Sequence, residues 1–148
     1  MRLSDHFSLE ELTFSQIAAR SGLDNTPTPA QIANLTRLCE TVLEPARVLL
    51  GLPLHIDSGF RSATLNVKVG GSRSSAHMEG LAADFKVGMP LAVAFDQLRR
   101  STRIPFHQCI FECAAWIHIS IAPDGQLPQR DVLTATGKPG SWKYERVT

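Results

Sequence analysis

His77 and Asp84 stand seven residues apart with Gly80 between them, and a chain that reverses at the glycine turns both side chains toward one point. A third donor, His118, follows in the alternating run Trp116-Ile117-His118-Ile119-Ser120. Two histidines and a carboxylate are a ligand set for catalytic zinc, which usually takes three protein ligands with bonds of about 2.0 to 2.2 Å and keeps a fourth position for water. Such a metal lowers the pKa of its water from about 15.7 toward roughly 7, giving a nucleophile at neutral pH. A carboxylate must then take the proton and pass it to a leaving amine. Glu112, six residues before His118 on a neighbouring strand-like run, is the candidate. Each residue taken singly has an ordinary alternative. A lone strand histidine is more often a hydrogen-bonding group, an aspartate after a glycine commonly steadies a turn, and Glu112 could be a surface carboxylate. His6 and His55 keep that ordinary reading, whereas His107 is near enough to Glu112 in sequence to support the site or touch a substrate.

These residues need elements to hold them. Ser8 and Glu11 form a capping-box pattern that opens a helix over residues 9–20, closed by Gly22. Residues 24–29, with Pro27 and Pro29, read as a turn-rich connector. From Pro29, the apolar positions Ile32, Leu35, Leu38, Val42 and Leu43 recur at helical spacing, and Val48, Leu49 and Leu50 continue the stripe. One long packing helix, bent at Pro45, is expected there. Residues 54–58 alternate as a half-buried strand, and Leu65 and Val69 mark a short helical piece before the loop 70–74. In residues 81–87, Leu81, Ala83, Phe85 and Val87 share one face, so Asp84 faces away from the apolar side. Residues 90–100 form an amphipathic helix, strands are expected at 108–112, 116–121 and 131–136, and the remainder reads as a polar end. Trp116, His118 and Ser120 share a face, which makes Trp116 a candidate substrate contact.

At 148 residues and 43% hydrophobic, the chain fits one domain with a sizeable core: a helical segment of about 4–50, a metal-binding core of about 54–122 and a tail 123–148. A net charge of +1 and a pI near 7.8 provide no basic stripe for nucleic acid or an anionic membrane. Cys39, Cys109 and Cys113 are an odd number, which argues for reduced thiols over a disulfide framework. The first residues lack an apolar signal core and no stretch approaches the roughly 18 apolar residues that span a bilayer, so a monomer made in the cytoplasm without membrane insertion is expected.

The elements Ser58-Gly59-Phe60-Arg61-Ser62, Asn66, Val69-Gly70-Gly71-Ser72, Ser75-Ala76-His77 through Asp84-Phe85, and Trp116-Ile117-His118 together resemble the zinc D-Ala-D-Ala carboxypeptidase family. The resemblance runs from about Ser4 to Thr136 and is closest to the small phage-associated branch. It implies a hedgehog/DD-peptidase-like α+β fold, in which a central antiparallel sheet carries one zinc ion in an open groove and helices pack on the other face. It also implies that His77, Asp84 and His118 are the zinc ligands and that Arg61 engages the substrate and stabilises the oxyanion, as a fixed guanidinium can. Ser75 matches a serine beside the peptide, with a loop hydroxyl bonded to its own backbone as the alternative. Many members carry the catalytic glutamate three residues before the last histidine, where this chain has Ala115; the spacing of Glu112 is similar to the phage-associated branch. His107 replaces a residue often acidic there, and Cys113 beside the site is unusual.

The expected function is therefore hydrolysis of an amide bond in the stem or cross-link peptide of peptidoglycan, by a phage or prophage lysis enzyme or a virion component that reaches the wall after release. The rivals are a zinc-stabilised binding module that has lost hydrolysis and a metal-free structural protein of a phage tail.

Overall fold

The structure, a computed structural model, describes residues 1–138 and 140–147. A six-stranded sheet runs from β1 (Leu54–Ser58) at one edge through β2 (Ala82–Val87), β4 (Trp116–Ser120), β3 (Gln108–Glu112) and β5 (Asp131–Thr136) to β6 (Lys143–Arg146). Period-2 alternation sorts its side chains. Ala83, Phe85, Ile117, Ile119 and Cys109 lie on one face inside the core, while Asp84, His118, Glu112 and Ser120 lie on the other. In β1 the register shifts between Ile56 and Ser58, so Ile56 pairs with Phe85 but Ser58 pairs with Asp84 and joins the polar face.

Helices cover the apolar face. The amphipathic α6 (Leu91–Arg100) packs on β2, β3 and β4, with Phe95 stacked on Phe111 at a centroid distance of 5.3 Å. The expected long helix is three pieces: α3 (Pro29–Leu38), a π-helical turn over Cys39–Leu43 and α4 (Glu44–Leu50). Pro45 has no amide, and its ring would clash with the Thr41 carbonyl in a continuous α-helix, so widening the preceding turn accommodates it. The bend thus sits before Pro45. Leu35, Leu38, Val42, Leu43 and Ala46 stay buried throughout.

Residues 9–20 also divide, into α1 (Leu9–Thr13) and α2 (Gln16–Ser21), because the carbonyls at the end of α1 are taken by other donors. Phe60 N–H donates to the Leu12 carbonyl at 2.7 Å and the Asn25 amide donates to Thr13 at 2.8 Å, while Ser15 caps the new helix. A short α5 (Ala63–Lys68) follows β1.

Two features depart from an all-antiparallel sheet with a polar tail. β5 runs parallel to β3, because residues 121–130 carry the chain back across the sheet end instead of turning tightly. Arg130 fastens that connection by donating to the Ile104 and Ser101 carbonyls and lying 4.1 Å over Phe106. β6 then returns antiparallel to β5, so the supposed polar end contributes an edge strand. No helix among the described residues is long and apolar enough to cross a membrane.

Candidate metal centre

His77 sits in a single 3₁₀ turn, Ala76–Glu79. Ser75 caps the turn, its hydroxyl accepting from the His77 amide at 3.2 Å, and Gly80 ends it at φ +75°. Helix α3 clamps the outside, where Gln31 donates to the Met78 carbonyl at 3.1 Å and Asn34 to that of Glu79 at 2.8 Å. The reversal then delivers the chain into β2, where Asp84 pairs in register with His118 of β4. One atom from each of His77, Asp84 and His118 lies within 4.8 Å of the others, and all three residues are buried.

Hydrogen bonding fixes what these atoms offer. His77 Nδ1 lies 2.7 Å from the Gly59 carbonyl, which can only accept, so we assign the ring hydrogen to Nδ1. Burial favours the neutral ring of His77, the pull of Asp84 offsetting only part of that. Its Nε2 lone pair therefore points at Asp84 Oδ1, 3.2 Å away, and His118 Nδ1 approaches the same oxygen at 2.9 Å. Burial opposes charge on Asp84, but the hydrogen bond from His118 and the charges around it outweigh that and hold the carboxyl well below the usual range. Burial likewise opposes a proton on His118, yet Asp84 raises its proton affinity above the ordinary value. Tetrahedral bonds of about 2.0 to 2.2 Å place neighbouring ligand atoms roughly 3.3 to 3.6 Å apart; Asp84 Oδ1 lies 3.2 and 2.9 Å from the two histidine nitrogens, so the group would open slightly around a metal. A histidine lone pair aimed at an ionised carboxylate is an arrangement that a divalent cation stabilises, and with the His118 proton displaced the three residues fit one.

Glu112 stands beside them. Its Oε1 is 4.0 Å from His118 Nδ1, and its Oε2 accepts a 2.9 Å hydrogen bond from the Trp116 indole N–H. Burial raises its carboxyl above the ordinary value; His118 pulls the other way and Asp84 adds to the rise. Trp116, expected to touch substrate, thus spends its only donor on Glu112. The Glu112 and Trp116 positions pair directly across β3 and β4.

Arg61 approaches from the β1 side, with Nη2 3.9 Å from Asp84 Oδ2. Burial lowers its proton affinity, with Asp84 and Glu112 opposing. Its Nη1 donates to Asn66 Oδ1 at 3.2 Å, while Nε is buried without a partner among the described residues. Asn66 is itself buried and donates to the Ser72 carbonyl at 2.8 Å. Asn25, which looked like part of a connector, spans the loop before α5, donating to the Phe60 carbonyl at 3.0 Å and accepting from Ser62 N–H at 2.7 Å. Asn66 stands in the family-like motif without an assigned partner, whereas Asn25 had no role in the sequence pattern, since its partners are backbone groups that carry no sequence mark.

Arg61, His77, Asp84, Glu112, Trp116 and His118 line an open cleft of about 1110 Å³. Ser75 reaches the wall of the cleft, though its hydroxyl is engaged within its own turn. His107 lies on the wall with Nδ1 accepting from Gln129 N–H at 3.2 Å, outside the metal-binding group. Cys113 donates weakly to the Gly137 carbonyl at 3.8 Å and is not part of that group either. Trp142 and Tyr144, unassigned from the sequence, line the far side.

Residues 5–120 match the family model described as Peptidase M15. The span contains Arg61, His77, Asp84, Glu112 and His118, and it stops before β5 and β6. No curated protein matches the chain.

Proposed function

Because the chain belongs to the peptidase M15 family, zinc metallopeptidases that act on peptidoglycan, we propose that it hydrolyses an amide bond in the peptidoglycan stem or cross-link peptide, as a D,D-carboxypeptidase or endopeptidase. The observation that carries this is Glu112 held by Trp116 at the edge of the His77-Asp84-His118 cluster.

His77, Asp84 and His118 would hold the zinc. When bound, it supplies a Lewis acid that activates water at neutral pH and polarises the scissile carbonyl. Glu112 takes one proton from the attacking water and delivers it to the amide nitrogen as the C–N bond breaks, leaving a carboxylic acid and an amine, and the remaining water proton then passes between them to give carboxylate and ammonium. The Trp116 N–H keeps the carboxylate in place for both transfers. Arg61, oriented by Asn66, pairs with the substrate's carboxylate or with charge developing on the carbonyl oxygen. Ser75 and His107 are wall contacts for the peptide. The position of Glu112 favours catalysis over the binding-module rival despite Ala115. The likeness of its spacing to the phage-associated branch supports a lysis or virion role at the cell wall, exercised by a monomer.

Purified murein incubated with wild-type, His77→Ala and Glu112→Gln proteins tests this, with released amines and bound zinc measured together. Wild-type should carry about one zinc per chain and free amines; Glu112→Gln should keep the metal and lose roughly 10²- to 10⁴-fold in rate. His77→Ala should lose the metal. A wild-type protein that binds zinc stoichiometrically and frees no amine would refute hydrolysis.

A further inference from the structure

The cleft has a second wall that the matched span does not supply. Tyr144 pairs with Ala135, Ala135 with Glu112, and Glu112 with Trp116, so these four side chains form one row on the polar face, across β6, β5, β3 and β4. At roughly 4.8 Å per strand, Tyr144 lies two strands, about 10 Å, beyond Glu112. The residue between them is alanine, too short to separate the phenol from the carboxylate. Trp142, just before β6, lines the same cleft. Arg61 enters from the β1 edge, so the aromatic pair lies across Glu112 from the cationic side.

The hairpin is built to hold this pair. Gly137 takes φ +108° in its turn, where a Cβ would meet the Ser141 carbonyl at 2.5 Å. Arg146 bridges Asp131 at 3.4 Å, and Val147 N–H donates to the Val132 carbonyl at 2.8 Å. Yet Tyr144 is 53% exposed, an aromatic kept partly in solvent on an edge strand. Burial, then the charges of Glu112 and Asp84, raise its phenol above the ordinary value, which keeps it a neutral donor facing the cleft.

We propose that Trp142 and Tyr144 form a binding subsite for the part of the peptide that lies across Glu112 from Arg61. The Tyr144 hydroxyl donates to a peptide carbonyl or carboxylate, and the Trp142 indole covers the adjoining aliphatic surface. The subsite rests on the peptidase reading of the same cleft. It makes the β5–β6 hairpin a determinant of which peptides are held, separate from the machinery that cleaves them.

Soluble muropeptides, made by muramidase digestion of purified murein, serve as the probe. Tyr144→Phe, Tyr144→Ala and Trp142→Ala are compared with wild-type for KM and kcat, and the same changes in a Glu112→Gln background are compared for equilibrium binding. KM and the dissociation constant should each rise about 5- to 10-fold in Tyr144→Ala and Trp142→Ala, with kcat within about threefold and unchanged thermal unfolding. Tyr144→Phe should lose the part due to the hydroxyl. If wild-type proves inactive, the binding arm still decides: weakened binding upholds the subsite while the peptidase reading falls. Binding and KM unchanged within twofold in both alanine variants would overturn the subsite, as would a fall in kcat alone.

Discussion

At the scale of single residues, the chemistry of the site depends on atoms whose partners are fixed before any substrate arrives. Trp116 shows it best, because its one N–H is committed to Glu112 Oε2. Trp116→Phe keeps an aromatic side chain, though a smaller one, and removes the donor, so kcat/KM should fall about tenfold, or roughly 1.4 kcal/mol of transition-state stabilisation, with zinc content unchanged. Steady-state kinetics with metal analysis checks this, and an unchanged kcat/KM would return Trp116 to a plain wall contact. His77, Asp84, His118 and Glu112 stand out in the chain as candidates because their types are chemically restrictive and their spacing matches strands and one reversal, whereas Arg61 enters only through the family resemblance. Asn25, Asn66 and the Gly59 carbonyl were not readable as site supports. Asparagine is common in turns, and a carbonyl belongs to every residue, so only the folded geometry reveals which of them steadies a histidine or an arginine.

At the scale of elements, the turn carrying His77 is held from outside, and two substitutions show how much that matters. Gly80 has a left-handed φ of +75°, and a Cβ there would meet the Gln31 carbonyl of α3 at 2.6 Å. Gly80→Ala combines backbone strain with a backbone collision, so a loss of about 2 to 4 kcal/mol is expected by denaturant unfolding, with weakened zinc binding. Near-wild-type stability would mean that α3 yields easily. The second is Glu44 at the start of α4, which ties down the N-terminal segment by accepting from Ser4 Oγ, His6 N–H and His6 Nδ1, each at 2.7 Å. Burial opposes its charge, but the bonds from Ser4 and His6 outweigh that and lower its pKa. A carboxyl depressed in the folded state stabilises above its unfolded pKa, near about 4.3, and loses that contribution as pH falls through the folded value. Glu44→Gln should therefore cost about 1 to 2 kcal/mol at pH 7, a gap that begins to narrow below about pH 4.3 and closes once the pH has fallen through the lower folded value. A gap that stays constant as the pH is lowered through the whole acid range would contradict the linkage. The α3, α6 and β1 to β4 elements were legible because apolar periodicity reports burial directly. The π-turn, the α1–α2 break and β6 were not. The first two follow from competition for carbonyls and from a proline ring, and β6 lies exposed at an edge, so its side chains carry no apolar alternation.

At the scale of the whole molecule, three ligands come from three separate stretches, and the metal they would hold sits directly behind the core. His118 and Asp84 project from β4 and β2, whose opposite faces carry Ile117, Ile119, Ala83 and Phe85 into the main cluster. A cation held there is therefore expected to add its binding energy to the stability of the fold. The parallel pairing of β5 with β3 extends that sheet to the C-terminal hairpin, a connection invisible to the sequence because nothing in residues 121–130 announces which strand they return to. The thiols provide a readout of the coupling. Cys39 and Cys109 are buried in the core, and burial pushes both up to about 12, whereas Cys113 is only half-buried in the β3–β4 turn. With zinc bound at pH 8, a thiol reagent should label Cys113 alone, since the two core thiols are both shielded and protonated. Chelation should lower the melting temperature by several degrees, consistent with roughly 2.7 kcal/mol for a site held at a hundredfold excess over its dissociation constant, and Cys39 and Cys109 should begin to react. Adding zinc back should reverse both changes in wild-type and neither in His77→Ala. If chelation strips the metal while the melting temperature and the labelling pattern stay where they were, the ligands are a rigid cup on a self-sufficient scaffold, and the coupling of site to fold is wrong.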